Sequence, residues 1–519
     1  MTRDTIVILG IPVDNLTMDE TVAFIFNMIQ DYANDGRPRQ VATLNVDFAV
    51  NTFSWGLKKI RHPELLDVLR KADLVTADGM PIVWTSKLLG APLKERVTGA
   101  DLVPMLAEAA AKYKKSIYFL GGRADVGRQA ADLLKGLYPD LTIAGVNSPF
   151  VHIEGQDLLW AEDEDLPIVE HINSSGADIL LIGFGNPKQE LWFHRNRNRL
   201  KVPVSIGIGG TYEFITGSAV RAPEWMQRAG LEWVFRIIQD PKRLWKRYFL
   251  GFFKFGLMIL PAILYYRYKR FLDNLFKRKG LLRKNQGTAP LVSTGSYINV
   301  IRFPDRLDAA FLKQFKDEME KAKRKPPNVA LDFSQTSFVD SSGLGLIVKL
   351  WRRAAKEKQD LFLIGVKPPI AHFFKLNRVW DIFHERICED MNEILATLRE
   401  KKTLPPFYLV MEAEDEVILI SLFGRLDAAE MSNLDMEDIA RNIGSRNCIL
   451  NLGNLGFVDS TGLTLFIKIL RHISSKGKVC LICELKGNIK QMFRITRIIN
   501  LFQIVPDIPS AKKVLNRLV

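Results

Sequence analysis

The chain has 519 residues, 47% of them hydrophobic and 25% charged; these are the proportions of a globular protein, and the length exceeds one core, so three or four domains are expected. Four cysteines in that length exclude a disulfide-stapled fold and point to a reducing compartment. The net charge of +14 is concentrated: Pro241–Lys284 holds thirteen Lys and Arg against one acid, Asp273. A local excess of that kind suits a polyanionic surface, either anionic lipid or nucleic acid.

The first fifteen residues carry an acid ahead of a short apolar run, so no signal peptide is expected. Short apolar runs then alternate with helical stretches. Val41–Asn45 reads as a strand, with a helical pattern after Asp47. The run Asp73–Thr76 leads into Ala77-Asp78-Gly79-Met80-Pro81, a turn signal. Asp78 is either a plain turn aspartate or a carboxylate held at a strand end to accept a proton. Ser116–Leu120 precedes Gly121-Gly122, and Asp178–Ile182 precedes Gly183-Phe184-Gly185. Strand, tight loop and helix in repetition predict an α/β body with a Rossmann-like, mostly parallel sheet, whose ligands sit at the carboxyl ends of the strands.

Asn186-Pro187-Lys188-Gln189-Glu190 reads as an N-cap and the first helical turn. Free backbone N–H groups there suit a phosphate, and Lys188 adds charge; an ordinary capping box between Asn186 and Gln189 stays open. No GxGxxG or P-loop pattern indicates a dinucleotide or ATP. Val204–Ile208 reads as a buried strand that breaks at Gly209-Gly210, where backbone can approach a ligand. After Arg221-Ala222-Pro223 the period turns helical, with Arg221, Arg228, Arg236 and Arg243 among apolar residues. Asp240-Pro241 predicts the start of a further helix.

In this order, Thr43-Leu44-Asn45, Ala77–Met80, Arg96–Gly99, Gly183–Glu190, Gly207–Thr211 and Arg221–Met226 resemble the TagA/WecG/CpsF glycosyltransferases, over roughly Ile6 to Tyr248. The resemblance implies transfer of an N-acetylmannosamine-type or related sugar from a UDP donor to an undecaprenyl-diphosphate-linked sugar. It implies that Asp78 is the general base of an inverting reaction and that Thr43 and Asn45 line the pocket beside it. Arg96 would meet a diphosphate, a match for a planar guanidinium. Asn186, Lys188, Gln189, Gly209 and Gly210 would hold the nucleotide, and Arg221, Arg228, Arg236 and Arg243 would belong to an appendage that closes over the site. UDP-sugar is then a substrate, no cofactor is implied, and no DxD-type acidic pair marks an obligatory metal. One departure is an acidic insert, residues 155–167, where the family more often has a Gly-Tyr-Phe-like loop.

Tyr248–Tyr266 holds nineteen residues with one charge, Lys254, between two basic flanks. That length is borderline for a span, both flanks oppose translocation, and Pro261 should kink a helix. A re-entrant or interfacial helix pair at the cytoplasmic leaflet is the leading expectation, ahead of a true span or a helix packed on the enzyme. Residues 280–295 read as a linker. An internal repeat follows: Arg306–Ala310 returns as Arg425–Ala429, and Phe338–Leu344 as Phe457–Leu463, both 119 residues on. Each copy resembles a STAS domain, the anti-sigma-factor-antagonist family, in which the serine after the aspartate is phosphorylated by a partner kinase. The resemblance carries this role to Ser341 and Ser460; plain helix caps and a scaffold role stay open. Cys480 and Cys483 have CxxC spacing inside an apolar run that reads as a core strand.

The expected domains are a transferase body at 1–245, a basic membrane-associating segment at 246–284, a linker at 285–295, and small α/β STAS domains at 296–402 and 403–519. The functional expectation is a peripheral or monotopic glycosyltransferase of surface-polysaccharide assembly on the cytoplasmic face of the plasma membrane. Its expected partners are the lipid-linked acceptor, anionic lipid, and an anti-sigma-type serine kinase or another protein at the STAS domains, with a homo-oligomer left open. The alternatives are a signalling protein whose body senses a ligand, and a nucleic-acid binder, which the aromatic density of the basic segment disfavours.

Overall fold

The computed structural model describes residues 4–53, 62–123, 125–152, 161–278, 292–294, 298–309, 311–312, 328–401, 406–414 and 416–516. They group into two compact units. One comprises Met1–Arg283, Asp340–Arg352 and Phe373–Val379, and the other Lys284–Val339, Arg353–His372 and Trp380–Val519. Residues 155–160 of the acidic insert and 280–291 and 295 of the expected linker lie outside the described residues.

In the first unit, β1 (Thr5–Ile8) and β2 (Ile11–Asp14) form an antiparallel hairpin. β3 (Arg39–Leu44), β4 (Leu74–Ala77), β5 (Ser116–Gly121), β6 (Thr142–Asn147), β7 (Ile179–Gly183) and β8 (Val204–Gly207) build a six-stranded sheet in the order β4-β3-β8-β7-β5-β6. Every neighbouring pair is parallel. Alternate residues feed opposite faces, as the pleat requires. Val41, Leu74, Ile117, Phe119, Leu181 and Ile206 enter one core, while Ala42, Leu44 and Val75 enter a second, and Tyr118, Leu120 and Leu180 a third. Apolar runs without polar alternation are what a sheet covered on both faces demands. β3 adjoins β8 rather than β5, so the strand order switches there, and ligands of such sheets bind outside the carboxyl ends at the switch.

The apolar basic segment forms one continuous helix, Pro241–Arg278, with Pro261 inside it, which corrects the expected helix pair. Packing overrides the proline: Phe255, Met258, Ile259 and Ala262, on both sides of Pro261, share a core with Phe48, Ala49 and Phe53. Lys254, the one charge of the apolar stretch, is only 5% exposed. Its ammonium donates to the carbonyls of Val50 (2.8 Å) and Phe53, at the open carboxyl end of the helix Val46–Thr52. Phe249, Phe253, Leu257, Leu260, Leu264, Tyr268 and Phe271 are exposed, and their spacing of three and four makes one stripe. The stretch Leu244–Leu272 is long and apolar enough to cross a bilayer by length and composition.

The repeat gives two five-stranded sheets of matching plan. In the first, Ile298–Arg302 pairs antiparallel with Val292–Thr294 and parallel with Asn328–Asp332, so residues expected in the linker already belong to the sheet. In the second, Val417–Leu426 pairs antiparallel with Phe407–Glu414 and parallel with Asn447–Val458. Cys480 and Cys483 lie buried on one strand of this second sheet, as a core reading requires, and burial pushes the Cys483 thiol up to about 12. The helix Ser341–Lys356 begins at the serine of the first Asp-Ser pair, and the helix Leu463–Ser475 begins three residues after that of the second.

Candidate active site

The carboxyl ends of β3, β4, β5, β7 and β8 open into one cleft of about 1440 Å³. Thr43, Asn45, Asp78, Arg96, Asn186, Lys188, Gln189, Gly209, Gly210 and Arg236 all line it. Arg221 does not: its guanidinium bonds Asp101 at 2.6 Å. Arg228 and Arg243 fall on the helices Glu224–Arg228 and Pro241–Arg278, and their side chains lie outside the described residues.

β4 ends at Ala77, and the Asp78 N–H donates to the Leu44 carbonyl at 2.7 Å, which fixes the aspartate against β3. The residue still reaches the cleft, yet protein atoms crowd its carboxyl, and this burial pushes it up to about 6. Arg236 and Arg96 pull against that rise, while Glu232 and Asp101 add to it. A carboxyl near 6 is ionised at neutral pH and still able to accept a proton, which is the property of a general base.

Thr43 gives its hydroxyl to the Gly207 carbonyl at 3.0 Å, and Asn45 caps the helix Val46–Thr52 through Phe48 N–H at 3.1 Å. Thr43 thereby ties β3 to β8, and Asn45 starts the helix that leaves β3 at the cleft floor. The expected capping role of Asn186 is not found: the helix Lys188–Asn196 starts after Pro187, with no side-chain cap. Gln189 turns inward instead. Its Oε1 accepts from Gly209 N–H at 2.9 Å, and its Nε2 donates to Glu190 Oε1 at 2.7 Å. A Cβ on Gly207 would stand 2.5 Å from that Nε2, so only glycine leaves room for the pair. Gly209, at φ 58°, turns the loop in the left-handed region. Lys188 stays exposed, 5.9 Å from the centre of the Phe150 ring.

The appendage supplies the opposite wall. Arg236 sits 4.6 Å from the Phe214 ring centre, and Glu232 bonds both Arg96 and Arg236 at 3.0 Å. Trp233, Tyr248 and Phe252 line the same side, with Trp233 edge-on to Phe252 at 5.0 Å. Sequence reasoning missed Glu232. Its spacing of four residues from Arg236 was the available signal.

The serines of the two repeat copies differ in setting. Asp340 Oδ1 accepts from Ser342 and Gly343 N–H, at 2.9 Å each, and Ser341 is buried in the first helical turn. Asp459 Oδ1 accepts from Gly462 N–H at 2.7 Å, and Ser460 is exposed in the turn ahead of its helix.

A parallel α/β sheet with a cleft at its switch point, into which a carboxylate and arginines face, is the frame of an α/β enzyme. The Glycosyl transferase WecG/TagA/CpsF family profile matches residues 6–269, and the chain belongs to that family; it is a glycosyltransferase. The STAS domain profile matches residues 290–394 and 408–511, so two STAS domains follow the enzyme. Three similar proteins are named N-acetylglucosaminyldiphosphoundecaprenol N-acetyl-beta-D-mannosaminyltransferase. That of Bacillus subtilis (strain 168) is 30% identical over 46% of this chain and 85% of its own. That of Bacillus spizizenii is 28% identical over 44% and 81%. That of Staphylococcus aureus (strain MRSA252) is 29% identical over 46% and 85%.

Proposed function

We propose that the chain transfers an N-acetylmannosamine-type sugar from a UDP donor to N-acetylglucosamine on undecaprenyl diphosphate, at the cytoplasmic leaflet. The observation that carries this reading is Asp78 at a strand end beside Arg96 and Arg236, inside a cleft large enough for both substrates. The names of the relatives supply the sugar and the lipid. Asp78 takes the proton of the acceptor hydroxyl as its oxygen attacks the anomeric carbon. The bond from that carbon to the UDP oxygen breaks on the opposite face, and UDP leaves with the electron pair. The new glycosidic bond is inverted. Lys188, the Gly209-Gly210 loop and the start of the helix Lys188–Asn196 meet the leaving diphosphate. The reading asks for no metal, and unchanged turnover in excess EDTA tests that point.

The long helix supports peripheral attachment. Lys254 and the inner face tie it to the body, the outer stripe is apolar, and Lys and Arg flank both ends. Exposure of Ser460 supports a phosphorylation-sensitive docking face on the second STAS domain, while buried Ser341 suits a structural helix start. The deciding experiment incubates the purified full chain with a panel of radiolabelled UDP-sugars and a short-chain lipid-diphosphate N-acetylglucosamine. Transfer to lipid with release of UDP supports the reading. Binding of UDP-sugars without any transfer would instead favour a body that senses its ligand for the STAS domains.

A further inference from the structure

Glu232 opens the helix Glu232–Gln239, is 9% exposed and lines the cleft. It faces Arg96, which belongs to the body 136 residues earlier, and Arg236, one turn along its own helix. Oε2 accepts from Arg96 Nη1 and Oε1 from Arg236 Nη2, each at 3.0 Å. One carboxylate thus joins guanidiniums from two parts of the chain. Each guanidinium carries five N–H donors in a rigid fork, so both keep donors for a second anion. The charged groups acting on Asp78 are Arg96 and Arg236 on one side and Glu232 and Asp101 on the other, and Asp101 is itself paired with Arg221. Tyr248, on the long helix, is a further titratable group beside Arg236.

We propose that Glu232 is a positioning residue for the transfer: it holds Arg96 and Arg236 together as one cradle for the acceptor's diphosphate. The inference rests on the reading of Asp78 as the base. The cradle exists only when the appendage is seated, because one arm comes from each side. An acid in a first helical turn also favours the helix dipole, but that role would leave the chemistry at Asp78 unmoved.

The test compares the full chain with its Glu232→Gln and Glu232→Asp variants, with donor saturating and lipid-diphosphate acceptor varied across pH. In Glu232→Gln, a like charge near Asp78 is gone. The acid limb of kcat/KM should move down by about half a pH unit or more. The acceptor KM should rise about tenfold, the loss of one charge-assisted contact, with donor KM unchanged. Glu232→Asp keeps the charge but shortens the arm, so the acid limb should stay put while the acceptor KM rises; it also serves if the Gln variant does not fold. An acid limb unmoved in Glu232→Gln would overturn the proposal. So would a fall in acceptor KM, which would make Glu232 a competitor of the diphosphate. Wild-type turnover in the same assay keeps the two ideas apart: its absence sinks the transferase reading, and its presence leaves the comparison to judge Glu232 alone.

Discussion

Glu190→Gln should make the enzyme body more stable in mild alkali. Glu190 is 1% exposed, and its Oε2 has no hydrogen-bond partner. Burial pushes its carboxyl from the usual 4.5 up to about 8, against the pull of the Gln189 amide. Between those two values the folded protein keeps a proton that the unfolded chain has lost. Stability therefore falls as pH rises from about 4.5 towards 8, by up to about 1.4 kcal/mol per pH unit, or a few kcal/mol in all. Glutamine keeps an oxygen to accept from Gln189 Nε2 and cannot ionise, so this loss disappears. The assay is urea unfolding at pH 5.5 and 8.5, followed by near-UV circular dichroism, which senses the fully buried Trp192 on the same helix. Wild type should lose midpoint between the two pH values, and the variant should lose markedly less. Every other titrating group is common to both proteins and cancels in the difference. Equal losses in the two proteins would refute the account of a neutral buried carboxyl.

Asp78→Asn should lower kcat by about 10²–10⁴-fold while UDP binding, read by calorimetry, stays near wild type. The base must be ionised to work and its carboxyl lies near 6, so wild-type kcat/KM should fall as pH drops through about 6; a flat profile from pH 5 to 8 contradicts the assignment. Changing Phe253, Leu257 and Leu260 together to Glu should release the protein from anionic liposomes in co-sedimentation, without lowering its melting temperature, because all three are exposed. Ser460→Glu should alter partner pull-down or transfer rate relative to Ser460→Ala, whereas Ser341→Glu should chiefly lower the melting temperature, since its side chain is buried.

Much of the body was legible because strand and loop announce themselves locally. The apolar runs at Val41, Ser116, Asp178 and Val204 each became a strand, and the glycines after the last three line the cleft. The repeat was legible because copying preserves spacing. What escaped was set by distant parts of the chain. Asn186 looked like a cap, but Gln189 finds Gly209 N–H twenty residues away and leaves no box to close. Pro261 looked like a break, but a core that receives residues from both sides of it carries the helix through. Glu232 drew no reading, because its partner Arg96 lies 136 residues away and is invisible until the appendage meets the body.

The long helix has a mechanical consequence. At about 1.5 Å per residue its 38 residues run for about 57 Å as one rod. Tyr248 and Phe252 near one end are cleft wall, and the apolar stripe continues on to Phe271. Cleft and stripe are joined through one backbone. On the proposed reading, the depth at which the stripe settled in lipid would set the height of Asp78 above the headgroups, and the rod would act as a ruler for how far a lipid-borne sugar must rise to meet it.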